Sequence, residues 1–340
     1  MKTRFARRAG VVGVGVLAAL TLAGTALAEP NGDPLYRELA GGGSDTTQDV
    51  LNGLSDAVLV NGVKVIASYN STPTGTTIKT KEVGCDGIAR PANSGQGVDR
   101  LVASRTAGDG CLQFARSSSN SASTRNGQNL TFIPFATDAV AYAQRGSSSN
   151  SRNLTIAQLQ AIYSCSSNTL TAFRPLLPQF GSGTRAFFLS KLGISDSATL
   201  VTQTGRTCIS EVDSSGALIQ ENDGRVLTDG RQLIPFSVAQ YQSQLNGAAA
   251  DIRGASILGN IQVNNGSANV TTPSTLLNTG AAFNRQVYNV VPTPEISSGG
   301  TTQSTFVGPN SLVCQQTGVI TRFGFAASPS CGSTTIQTAP

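Results

Sequence analysis

Phe180-Gly181-Ser182-Gly183-Thr184-Arg185 places small residues and hydroxyls directly before Ala186 to Leu192, a stretch that reads as a helix stopped by Gly193. A turn that opens a helix leaves several backbone N–H groups unpaired and aims them at one point. The helix dipole adds positive potential there, and the Ser and Thr hydroxyls add donors. The chemistry this suits is recognition of an oxyanion. The same residues also serve as an ordinary Gly/Ser turn capping a helix, and the hexapeptide alone does not separate the two.

Other chemistries are narrowed by what the chain lacks. It has no histidine, which excludes Ser–His and Cys–His catalysis and His-ligated zinc. Its 19 acidic residues are scattered, and no acid/base pair stands out by spacing, although carboxylate- or Lys-based mechanisms stay open. Trp is absent and aromatics make up 6% of the chain, which counts against a sugar groove built on stacked rings. We therefore expect no catalytic residue, no cofactor and no metal. The six cysteines, Cys85, Cys111, Cys165, Cys208, Cys314 and Cys331, lack close C-x-x-C spacing and fit an oxidising compartment better than a metal site. Pairing neighbours, Cys85–Cys111, Cys165–Cys208 and Cys314–Cys331, is preferred because each bond then closes a short or moderate loop.

The compartment is read from the first residues. Lys2, Arg4, Arg7 and Arg8 precede an apolar run from Val11 to Leu22, and Ala26-Leu27-Ala28 is a small-x-small cleavage site. Residues 1–28 read as a signal peptide, with Glu29 the expected mature start. The run is short for a membrane span, which needs about 20 apolar residues. With no Cys near the cleavage site, no lipid anchor is expected. Four of the 24 basic residues lie in this leader, which holds no acidic residue, so the remainder is close to charge balance. Nothing in that balance supports binding to nucleic acid or an acidic membrane. The expectation is a soluble secreted monomer, extracellular or periplasmic.

Elements must position the turn. Thr47 to Val58 carries Val50, Leu51, Leu54 and Val58 at helical spacing, and Thr155 with Gln158 forms a capping box ahead of Leu159 and Ile162. Val63 to Ser68, Leu130 to Pro134, Leu233 to Phe236 and Val287 to Val291 read as strands. Strands alternating with helices predict an α/β architecture. The polar tracts Ser117 to Ser123, Ser147 to Ser151 and Ser297 to Thr302 read as solvated loops.

Taken in order, several segments resemble the phosphate-binding proteins of bacterial ABC transporters, which have the two-lobed type II periplasmic binding-protein fold. Gly41-Gly42-Gly43-Ser44-Asp45-Thr46-Thr47 resembles the family's first Gly-rich turn. Ala92-Asn93-Ser94-Gly95-Gln96-Gly97-Val98 resembles its Ser-Gly-Gly segment, and Phe114 to Ser119 its Phe-Gly-Ala-Ser-Asp segment. Leu154 to Tyr163 resembles the helix before the main anion loop, which Gly181-Ser182-Gly183-Thr184 matches directly. Asn222-Asp223-Gly224 followed by Ile234-Pro235-Phe236 resembles the family's Asn-Asp-Gly helix and next strand. The order holds across nearly all of the chain beyond the leader.

The resemblance implies one lobe from residues 29–133 with 285–340 and another from 134–284, joined by hinge crossings near Phe135 and Phe283. It implies that Ser44, Thr46, Thr47, Ser94, Ser118, Ser182, Gly183 and Thr184 bind a small oxyanion such as phosphate in the interlobe cleft, with an ABC permease as partner. The chain departs from the pattern at two places. Pro178 stands where the family has an Arg, so Arg185, or else Arg116, is the candidate for the charge. Ser118 stands where the family has an Asp that accepts the proton of hydrogen phosphate. Asp45 is an alternative acceptor, though a turn or N-cap role is the reading preferred for it. Two further readings are an extracellular interaction protein that kept the scaffold and lost the ligand, and a secreted phosphatase.

Overall fold

The computed structural model describes residues 29–30, 32–120, 128–166, 172–263, 268–271 and 282–338. The leader and cleavage site lie outside the described residues. Among those described, no helix is long and apolar enough to cross a membrane.

The chain alternates strands and helices: β1 (Leu39–Gly43), α1 (Gln48–Ala57), β2 (Ile66–Ser68), α2 (Ser94–Ala107), β3 (Phe114–Ser117), β4 (Leu130–Arg145), α3 (Ile156–Tyr163), β5 (Arg174–Pro175), α4 (Gly183–Lys191), β6 (Gln232–Ser237), α5 (Val238–Leu245), β7 (Ser256–Leu258) and β8 (Asn284–Pro292). Helices α6 (Thr301–Phe306) and α7 (Thr317–Arg322) and a short β9 (Ala326–Ala327) follow. The main sheet runs β5-β6-β4-β8-β3-β1-β2, with β7 and β9 also paired to β4. Its two ends, β3-β1-β2 and β5-β6, are parallel, and β4 and β8 join them antiparallel.

The spine is β4. The strand expected from Leu130 to Pro134 continues to Arg145 as one 16-residue strand, buried along almost its whole length. Its first part pairs with β8, from Pro292 opposite Leu130 to Asn284 opposite Ala139. Its second part pairs with β6, from Ser237 opposite Val140 to Leu233 opposite Gln144. Within the first part the register slips, so that Tyr288 faces Pro134 and Val287 faces Ala136. Phe135 is the extra residue of that bulge. Pro134 has no N–H for the ladder, and a bulge is one of the few places in a sheet where that is tolerated.

The packing changes over at the same place. Leu39, Val50, Leu51, Leu54, Ile66, Phe114, Ile133, Phe135, Val287 and Phe306 belong to one core. Val140, Leu159, Ile162, Tyr163, Phe188, Leu189, Leu233 and Phe283 belong to another. Apolar stripes at helical spacing feed both. In α1 the buried face is Val50, Leu51 and Leu54. At α3 the capping box is formed: the Gln158 backbone N–H donates to Thr155 Oγ1 at 3.1 Å, and the Thr155 N–H donates to Gln158 Oε1 at 2.8 Å.

Two sequence expectations change. Val63 to Ser68 is not a single strand; Val63–Lys64 forms a separate hairpin and only Ile66–Ser68 enters the main sheet. The tract beginning at Ser117 does not start as a solvated loop. Ser117 ends β3 and Ser118 is sealed from solvent, because neighbouring elements take up their polar groups. Cys85–Cys111, Cys165–Cys208 and Cys314–Cys331 are bonded, with Cα separations of 5.3, 5.7 and 5.8 Å.

Candidate functional site

Strand β1 ends at Gly43, and the chain turns through Ser44–Thr47 into α1. Gly43 has φ +136°, and a Cβ there would lie 2.4 Å from the Arg116 carbonyl oxygen. Gly97 of α2 packs on it so closely that its own Cβ would sit 2.6 Å from the Gly43 Cα. These two glycines let the start of α2 close against the β1 turn. Asn93 caps α2, its side chain accepting from the Gln96 N–H at 2.9 Å. Ser94, one residue later, accepts from the Ser118 N–H through Oγ at 3.1 Å, and the two hydroxyls lie 3.3 Å apart.

The hexapeptide faces these segments. The Gly95 N–H donates to the Gly181 carbonyl at 3.1 Å, and the Asn93 amide donates to the Phe180 carbonyl at 3.4 Å. Ser182 is the N-cap of α4, accepting from the Arg185 N–H at 3.0 Å. Gly183 sits against Ser94 and Ser118; a Cβ there would lie 2.8 Å and 2.4 Å from their hydroxyls. Gly193 has φ +68°, in the left-handed region that a helix stop favours.

At the centre stand Thr46 and Thr184, their hydroxyls 3.1 Å apart. Thr46 Oγ1 donates to Glu221 Oε2 in a short hydrogen bond and accepts from the Asn222 amide at 3.1 Å. Thr184 donates to the same carboxylate from its hydroxyl at 3.3 Å and from its backbone N–H, to Oε1, at 3.4 Å. Gln240 donates to the Thr46 carbonyl at 2.7 Å. Ser44 and Thr47 are fully buried, yet neither hydroxyl has a hydrogen-bond partner. Buried hydroxyls are normally satisfied, so these two are spare donors beside the cluster.

The positive charge at the centre comes from an unexpected residue. Arg185 is fully buried, but its guanidinium is taken by Asp196 at 2.9 Å, Glu211 at 2.6 Å and the carbonyls of Pro178 and Ser197. This corrects the expectation that Arg185 supplies charge to the anion turn: two carboxylates on its own side of the fold outcompete that role. Arg116 is also committed. It donates to Ser68 Oγ and the Tyr69 carbonyl at 2.7 Å each and to the Ser44 and Gly43 carbonyls, which braces the β1 turn from behind. Burial holds its pKa down to about 10.

Arg285 takes the place expected of both. Its Nη2 donates to Thr184 Oγ1 at 2.8 Å, and its Nη1 donates to the Ser118 carbonyl at 3.2 Å. Asp138, opposite it in the β4–β8 ladder, accepts from Nε at 3.0 Å and Nη2 at 2.8 Å. Asp138 also accepts from Ser237 Oγ and the Ala239 N–H, so the buried pair is hydrogen-bonded all round.

Asp45 is not the N-cap but does open a turn, its carbonyl accepting from the Gln48 N–H at 3.0 Å. Thr47 is the N-cap of α1 and makes no side-chain cap bond. The Asp45 carboxylate accepts from Ser71 Oγ at 2.9 Å and from Asn222 at 3.5 Å. Desolvation, then the nearby charges of Glu221 and Asp49, push its pKa up to about 7.

Of the expected ligand residues, Thr46, Ser94, Ser118, Gly183 and Thr184 converge with their hydroxyls or backbone. Ser44 and Thr47 lie beside them, Ser182 is used as a cap, and Arg185 turns away. Arg285, Asp138 and Glu221 were not expected. Charged residues at 138 and 285, inside apolar strands beside the two crossings, were the available signal for the first two. Glu221 adjoins Asn222, whose φ of +58° aims the neighbouring side chains, and a linear motif does not carry that turn.

Comparison with known proteins locates this arrangement within a fold. No family model matches the chain, and no curated protein matches it in sequence. Solved structures do. A proposed phosphate ABC transporter substrate-binding protein from Clostridium perfringens, with bound phosphate, is 14% identical with a TM-score of 0.53, covering 85% of this chain and 99% of that one. A high-affinity periplasmic phosphate-binding protein solved with phosphate at pH 8.5 is 13% identical, TM-score 0.52, covering 86% and 91%. A phosphate-binding protein from Stenotrophomonas maltophilia is 12% identical, TM-score 0.50, with the same coverage. The chain has the α/β, two-lobed type II periplasmic binding-protein fold. At these identities the likeness is one of fold.

Proposed function

We propose that the chain is a secreted solute-binding protein that captures a small oxyanion between its lobes, with inorganic phosphate the first ligand to test. The observation that carries this reading is the convergence of donors from five separate segments: Thr46, Ser94, Ser118, Gly183–Thr184 and Arg285. They meet at the start of α4, where the helix dipole favours negative charge. Seclusion from water strengthens each of those dipolar bonds, so one guanidinium and several neutral donors suffice. Lobes at 29–133 with 285–340 and at 134–284, pivoting near the Phe135 bulge and Phe283, would give the ligand access. The proposal includes no chemical step. Uptake through an ABC permease and a monomeric state extend the same reading.

Isothermal titration of protein stripped of bound ligand by unfolding and refolding tests it, with phosphate against sulfate and molybdate. Saturable binding is expected, and Ser182→Ala with Thr184→Ala should abolish it while the fold survives. Absence of heat with every anion would overturn the reading. A second reading, an extracellular interaction protein that no longer takes a ligand, is favoured by one observation: the Glu221 carboxylate already engages Thr46 and Thr184.

A further inference from the structure

Glu221 is 2% exposed, and among the described residues no Lys or Arg lies within ion-pair distance of it. A buried carboxylate ordinarily has a cation or a full set of hydrogen bonds to repay its desolvation. Glu221 is held instead by the Thr46 hydroxyl on one oxygen and by Thr184, hydroxyl and backbone N–H, across both. Those are the donors at the centre of the proposed anion site. The nearest guanidinium in the network, that of Arg285, reaches Glu221 only through Thr184 Oγ1. Two oxygens of one carboxylate thus engage a helix N-terminus and two hydroxyls in the way two oxygens of a bound oxyanion would.

The geometry points to Glu221 as a built-in competitor: its carboxylate holds the donors that an oxyanion requires, and an anion that binds there has to displace it. The inference rests on the oxyanion reading above. It follows from charge and space together. A second anion placed against this buried carboxylate has to compete for the same donors in a site where charge is poorly screened. Asp45, linked to the same cluster through Asn222, brings no cation to relieve it. The net affinity for an anion is then what the donors offer an external ligand minus what they already give Glu221.

The test is titration of inorganic phosphate into stripped wild type, Glu221→Gln and Glu221→Ala, with thermal melts confirming that each variant is folded. Gln is nearly isosteric, removes the charge and keeps one acceptor oxygen, so it guards against a simple packing loss in the Ala variant. We expect both variants to bind phosphate at least tenfold more tightly than wild type. Equal or weaker binding in both folded variants overturns the competitor inference and leaves the oxyanion reading standing. No heat in any of the three proteins overturns the oxyanion reading, and the inference falls with it.

Discussion

The turn Ser44–Thr47 before α1 and the turn Gly181–Thr184 before α4 carry the same kinds of residue, glycine followed by hydroxyls, and they meet at Thr46 and Thr184. Their local chemistry differs. At α4 the cap is filled, since Ser182 accepts from the Arg185 N–H. At α1 it is open: Thr47 makes no cap bond, and Ser44 and Thr47 keep unpartnered hydroxyls. Each turn is braced from behind by an arginine on its carbonyls, Arg116 on Ser44 and Gly43, Arg185 on Pro178. The similarity of motif therefore hides a division of labour. One turn spends a hydroxyl on its own helix, the other keeps its hydroxyls, and the arginines that brace them are structural.

The sharpest break of that comparison is at Arg285, which serves the α4 turn and leaves the β1 turn to Arg116. Arg285→Ala strands Asp138 in the interior without its cation, a kind of change that costs roughly 3–5 kcal/mol. Urea denaturation should show that loss. Arg285→Lys keeps a charge but cannot reach Asp138, Ser118 and Thr184 as one planar fork, so it should recover only part of it. A change under about 1 kcal/mol in Arg285→Ala would mean the pair is not the clamp described.

Asp45 separates the turns by pH. Its pKa in the fold is about 7, against 3.8 for the free side chain. The folded state therefore holds the proton more tightly than the unfolded state. Stability from this group is full below about pH 4, falls as pH rises toward 7, and is level above that. At about 1.4 kcal/mol per pK unit, the drop is at most on the order of 4 kcal/mol. Asp45→Asn should flatten that slope, with little effect at pH 4 and stabilisation at pH 8. An unaltered slope would place the titration elsewhere.

Much of this was legible in the sequence because it is local. The apolar face of α1, the Thr155–Gln158 box and the Gly193 stop each depend on residues a few positions apart, and all took the form their spacing predicts. The hydroxyl turns were legible for the same reason. Arg285 and Glu221 were not, because their partners lie in segments far away along the chain. Asp138 and Arg285 are 147 positions apart, and Glu221 and Thr46 are 175 apart. Arg185 misled for a related reason. Its adjacency to the loop was visible, while Asp196 and Glu211, which decide its direction, come to it only through the tertiary fold.

The smallest effect is the most discriminating for the two turns. If Ser182 acts as a cap rather than a ligand donor, Ser182→Ala should cost the N-cap bond, typically about 1 kcal/mol, and leave phosphate affinity nearly unchanged. Thr184→Ala should do the reverse, because Thr184 Oγ1 connects Arg285, Thr46 and Glu221 while α4 keeps its Ser182 cap. Denaturation and titration of the two single variants resolve the pair that the double variant merges. Should Ser182→Ala lose affinity with no loss of stability, its hydroxyl proton serves the ligand while its oxygen caps the helix. The two turns would then differ only in how many jobs one hydroxyl performs.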